Sequence, residues 1–105
     1  MSGAYIGKIS EGVWQVCGEL SFASVPGLLE HREMFANAGE NVLVYIDLGG
    51  VPRADSAGLA LMVCWVRQAR RQNLRIAFRN VPDQLLKIAR VSGLDTILPL
   101  GSAGE

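Results

Sequence analysis

The chain has 105 residues, half of them hydrophobic and 19% charged, with ten basic and ten acidic side chains. That length holds one domain with its own core and excludes two, and zero net charge excludes an overall electrostatic pull toward nucleic acid or an anionic membrane. No stretch approaches the roughly 20 apolar residues that cross a bilayer, and the start MSGAYIGKIS has no signal-peptide core, so the expected compartment is the cytoplasm, with Cys17 and Cys64 reduced.

Tyr5 to Ser10 and Val13 to Gly18 are two short strand-like segments separated by the turn pair Glu11-Gly12, which fits an antiparallel hairpin. Ser24 is placed to cap a following helix, with Pro26 tolerated in its first turn, a broken apolar stripe of Val25, Leu28, Leu29, Phe35 and Ala36, and Gly39 as its stop. Asn41 to Leu48, NVLVYIDL, is nearly continuous in β-branched and apolar residues, the pattern of a central strand buried on both faces. Leu48-Gly49-Gly50 reads as a flexible turn after it. A helix then starts near Asp55 and Ser56 and runs past Ala69.

Leu74 to Arg79 alternates apolar Leu74, Ile76 and Phe78 with Arg75, Ala77 and Arg79, a strand with one face more exposed. Strand, helix, strand implies a parallel, right-handed crossover. Pro82 and Asp83 suit the first turn of another helix, with Leu85, Ile88, Ala89 and Ser92 toward one side and Gly93 as its end; Ile97 to Leu100 reads as a last short strand. The fold expected is therefore α/β: one domain over 1–105, frayed at 1–4 and 101–105, with a mixed, mainly parallel sheet in the order ββαβαβαβ and helices on one side.

Residues that commonly carry catalysis do not gather. His31 is the sole histidine and has no base-orienting group near it in sequence; it reads as a surface residue. Asp47 and Asp55 flank the loop before the central helix, but a strand-end carboxylate and a helix-start carboxylate are also ordinary loop and capping residues. Gly49-Gly50 precedes a helix without the Gly-Lys-Ser/Thr signature of a phosphate loop, and neither cysteine has a neighbour at metal-ligand spacing. Arg67, Arg70, Arg71, Arg75 and Arg79 cluster with no interleaved aromatic residues that suggest base stacking, which reads as a solvated helix end and strand face. No catalytic residue, metal or cofactor is assigned, and a non-enzyme is expected.

The stretch VPRADSAGLALMVCW, residues 51–65, is the unusual one. From Ala57 to Val66 every residue is apolar or glycine, whereas a surface helix of a small domain has a polar face. At about 100° per residue, Leu59, Met62, Val63, Val66 and Ala69 share a side suited to packing on a sheet, and Ala57, Ala60, Leu61 and Cys64 lie opposite. That opposite side reads as a partner-binding patch beside the Ser56 hydroxyl; coverage by another part of the chain is the alternative. Asp55 or Ser56 can cap the helix, and a cap at Ser56 is worth about 1 kcal/mol. Phosphorylation of Ser56 adds roughly −1.5 to −2 charges beside any apolar interface there, enough to disrupt docking without unfolding the domain.

The run IDLGGVPRADSAGLALM, with the element order around it, resembles the STAS domain, the sulfate transporter and anti-sigma factor antagonist fold; Asp47-Leu48, Val51 and Asp55-Ser56-Ala57-Gly58-Leu59 carry the resemblance. The resemblance implies a non-catalytic binding module that meets its partner through the loop and helix start around Ser56. Two branches are compatible with it. In one, similar to MlaB-type subunits, the domain binds the cytoplasmic ATPase of an ABC transporter that moves phospholipids and maintains outer-membrane lipid asymmetry, so the protein sits at the inner face of the inner membrane through that partner. In the other, similar to anti-sigma factor antagonists, a serine kinase or anti-sigma factor is the partner and Ser56 is phosphorylated. Ala57 in place of a second Ser or Thr, Leu59-Ala60-Leu61, and VPDQLLKIARVSGLDTILPL favour the first branch, while Gly49 stands where many members have Ser. The expected contact residues are Asp55, Ser56, Ala57, Gly58, Ala60, Leu61 and Cys64. No nucleic acid or direct membrane insertion is expected, and an uncovered patch favours self-association of an isolated copy.

Overall fold

A computed structural model describes residues 4–29, 35, 42–95 and 98. The hairpin forms where alternation and turn chemistry place it. Strand β1 is Tyr5–Ser10 and β2 is Val13–Cys17, antiparallel, with Gly12 at φ 76° in the turn. The register shifts between Lys8 and Ser10, leaving Ile9 as a bulge on this edge strand. Ala4, expected to fray, packs against the core.

Helix α1 is Val25–Leu29. Ser24 does not cap it: its Oγ accepts the Ser21 N–H at 2.9 Å and donates to the Glu19 carbonyl at 2.7 Å, so the hydroxyl closes the preceding turn instead. The expected continuation toward Gly39, with His31, lies outside the described residues except for Phe35, which is buried.

Strand β3 is Leu43–Gly50, β4 is Arg75–Arg79, and between them runs helix α2, Ser56–Arg71; helix α3, Asp83–Val91, follows. The sheet order is β1-β2-β3-β4, with β2/β3 and β3/β4 parallel. The strand expected at Ile97–Leu100 lies outside the described residues apart from Leu98, which sits buried in a bend.

Where a turn is expected at 48–50, β3 continues. Gly50 pairs with Cys17, and its carbonyl accepts the Gly18 N–H at 3.0 Å. A Cβ at Gly50 would lie 2.7 Å from Cys17 Sγ and 3.0 Å from the Val16 carbonyl oxygen, so glycine serves close strand approach here. The Asp47 carboxylate accepts the Gly49 N–H at 2.7 Å and the Asn80 amide at 3.1 Å, which ties the end of β3 to the end of β4.

Burial of β3 on both faces is also corrected. Val44, Ile46 and Leu48 are buried with Val16, Ile76 and Phe78 in the core shared with the helices, while Leu43, Tyr45 and Asp47 are only half-buried. The helices cover one face, and long side chains screen the other: the Arg79 guanidinium lies 3.9 Å from the centre of the Tyr45 ring. Among the described residues no helix is long and apolar enough to cross a membrane.

Candidate partner-binding site

The start of α2 is held from two sides. Leu20 forms a parallel bridge with Ala54; the Leu20 N–H donates to the Arg53 carbonyl at 2.9 Å and the Asp55 N–H donates to the Leu20 carbonyl at 3.1 Å. From α3, the Gln84 side-chain oxygen accepts the Ala54 N–H at 3.1 Å. The loop from Val51 to Asp55 is thus pinned by the segment after β2 and by the first turn of α3.

Asp55 is the cap. Its backbone is extended, at φ −114° and ψ −165°; its Oδ1 accepts the Ala57 N–H at 2.8 Å and its carbonyl accepts the Gly58 N–H at 2.9 Å. Ser56 is consequently the first helical residue and not the cap. Its side chain is exposed, and its hydroxyl makes no hydrogen bond among the described residues. Gly58 lets the helix start settle on its neighbours: a Cβ there would lie 3.2 Å from Leu20 Cβ and 3.3 Å from Leu85 Cδ2.

The wide apolar patch expected opposite the sheet is smaller than its sequence suggests. Helices α1 and α3 both pack on α2, and Ala57, Gly58 and Leu61 are buried, Leu61 with no exposed surface at all. Much of the second apolar face of α2 is therefore covered by the same chain. What stays open is a stripe: Ser56 and Ala60 exposed, Val63 and Cys64 half-buried, then Arg67, Arg70 and Arg71 exposed. Asp55 lies half-buried at its head. Cys17 and Cys64 are free thiols.

Sequence reasoning missed Phe22. Phe22 stands two residues after Leu20, whose bridge to Ala54 holds the loop ahead of α2. Phe22 is 74% exposed, which is unusual for so large an apolar side chain in an otherwise folded turn. A lone aromatic in the polar turn Ser21-Phe22-Ala23-Ser24 was the available signal. Among the described residues no group of His, Cys, Asp or Glu is arranged to hold a metal ion.

A family model described as Mlab, STAS domain matches residues 8–99. The chain is also similar to an anti-sigma-B factor antagonist of Listeria monocytogenes, 26% identical over 85 residues that cover 81% of this chain and 74% of the relative. The anti-sigma-B factor antagonist of Listeria innocua is similar to the same extent, 26% identical over 85 residues. The match runs from the second half of β1 through the pinned loop, the central helix and α3, so the chain belongs to the STAS domain family, of the MlaB type that the matching model describes.

Proposed function

We propose that this protein is a non-catalytic subunit that binds the cytoplasmic ATPase of a phospholipid-transporting ABC complex and supports its assembly. The docking surface consists of Asp55, Ser56, Ala60 and Cys64, extended by the exposed Phe22 of the turn that follows the Leu20 bridge. Ala57, Gly58 and Leu61 act from beneath, by fixing the backbone on which the exposed residues sit. The observation that carries the reading is the open stripe on α2, small and uncharged from Ser56 to Cys64, at the end of a loop held rigid by main-chain hydrogen bonds. Small side chains allow a partner's backbone to approach closely, and a rigid platform loses little entropy on binding. The MlaB-type family match supports the choice of partner. The test is recovery of the ATPase with the tagged protein and its loss in Ala60→Arg; Ala60 is exposed, so an arginine there is accommodated without disturbing the core.

A second reading has its own support in the anti-sigma-B factor antagonists that the chain resembles and in the free, exposed hydroxyl of Ser56. Under it, a serine kinase or anti-sigma factor occupies the same surface, and a phosphoryl group on Ser56 expels it. Intact-mass measurement of protein from its own cells decides the point: a species heavier by one phosphoryl group supports the switch, and unmodified protein across growth conditions contradicts it.

A further inference from the structure

The stripe on α2 changes character along its length. After Asp55 the helix carries no acidic residue, and its second half exposes Arg67, Arg70 and Arg71. None of these guanidiniums has an ion-pair partner among the described residues, where the one salt bridge joins Lys8 to Glu11 on the hairpin. Beside Arg67 and Arg70 a cavity of about 250 Å³ opens between α2 and the side chains of Leu94 and Leu98, lined by Val63, Val66, Arg67, Arg70, Leu94 and Leu98. Its floor is aliphatic and its rim is cationic. Val63 and Arg67 belong both to this cavity and to the open stripe, so the two form one continuous surface.

We infer that this surface takes an amphipathic, acidic helix of the protein partner, lying along α2. Its small residues rest on Ser56 and Ala60, an apolar side chain enters the cavity, and its carboxylates meet Arg67 and Arg70. A helix laid in a groove presents anchors at the spacing this requires, and arginine pairs carboxylates through two parallel hydrogen bonds. An anionic membrane is the less fitting occupant: the chain is neutral overall, and a concave cavity with two flanking guanidiniums is shaped for one inserted side chain rather than for a planar sheet of headgroups. The inference rests on the docking role proposed for α2 and adds the chemistry of what docks.

The experiment measures the affinity of the full-length protein for the ATPase subunit recovered with it, at roughly 50 and 300 mM salt. The variants are Arg67→Glu with Arg70→Glu, Ala60→Arg, and Arg75→Glu on the open sheet face as a charge control. The expected result is binding weakened about tenfold or more by the double charge reversal, most at low salt, and unchanged by Arg75→Glu. If the double variant binds as wild type while Ala60→Arg does not bind, the inference falls and the docking role stands. If Ala60→Arg binds as wild type, or no ATPase is recovered at all, the docking role falls and the inference with it. Mixed phosphatidylglycerol and phosphatidylcholine vesicles give the remaining arm: sedimentation with them that is lost in the double variant, at unchanged ATPase affinity, overturns the inference in favour of a membrane.

Discussion

Replacing Asp55 by alanine removes the side-chain oxygen that accepts the Ala57 N–H at 2.8 Å. Ala57 is 6% exposed, so water reaches the freed donor poorly and the loss is more than that of a solvated cap. Loss of an N-cap costs about 1 kcal/mol, and removing a negative charge from the helix N-terminus adds roughly 0.5 kcal/mol. The sum is about 1.5 kcal/mol. With an unfolding entropy of about 2.1 cal/mol/K per residue, a chain of 105 residues has roughly 0.22 kcal/mol/K, so Tm falls by about 7 °C. Ser56→Ala removes an exposed hydroxyl that bonds to nothing among the described residues, and it stays within about 0.5 kcal/mol, or some 2 °C. Thermal unfolding followed by circular dichroism, on both variants and on Asp55→Asn, makes the comparison. Asparagine keeps an acceptor and loses only part of the stability. Equal losses in Asp55→Ala and Ser56→Ala would refute the assignment of the cap.

Gly50→Ala places a Cβ against the Val16 carbonyl and Cys17 Sγ, and because one obstacle is backbone the strands must separate; an expected loss of about 1–3 kcal/mol is read from urea unfolding. Leu61→Ala empties a fully buried site and costs about 2–5 kcal/mol, whereas a Leu61 that faced a partner would leave the isolated domain nearly unchanged. Phe22→Ser behaves in the opposite way: unfolding shifts by less than about 0.5 kcal/mol, while co-purification of the partner drops. Unaltered recovery in Phe22→Ser would remove that residue from the surface.

Much of the fold is legible in the sequence because local signals agree. Alternation in β4, the Glu11-Gly12 turn and the apolar run of β3 each specify their element without help from the rest of the chain. The errors arise where one local signal has two physical meanings. Gly49-Gly50 reads as a flexible turn, but glycine also serves where two strands approach closely, and the Cys17 contact that decides between them is remote in sequence. Ser24 has capping chemistry, yet its oxygen accepts the Ser21 N–H of the preceding turn instead. In β3 an apolar residue such as Tyr45 looks the same whether a second layer of helices or a single arginine covers it. For the candidate site, periodicity marks Ala57 and Leu61 as off the sheet, but only the packing of α1 and α3 against α2 shows that they are already covered. Phe22 shows the converse, since its 74% exposure is a property of the folded turn that its sequence neighbours do not announce.

The central claim is that the exposed stripe at the head of α2 is where an ABC ATPase docks. The most direct measurement is affinity purification of the tagged protein from its native host in mild detergent, wild type beside Ala60→Arg, with thermal unfolding to confirm that both are folded. The account predicts an ABC ATPase with its membrane permease in the wild-type eluate and neither in the variant. Recovery of the ATPase by Ala60→Arg would contradict the placement of the interface, and a serine kinase or anti-sigma factor in place of the ATPase would contradict the function.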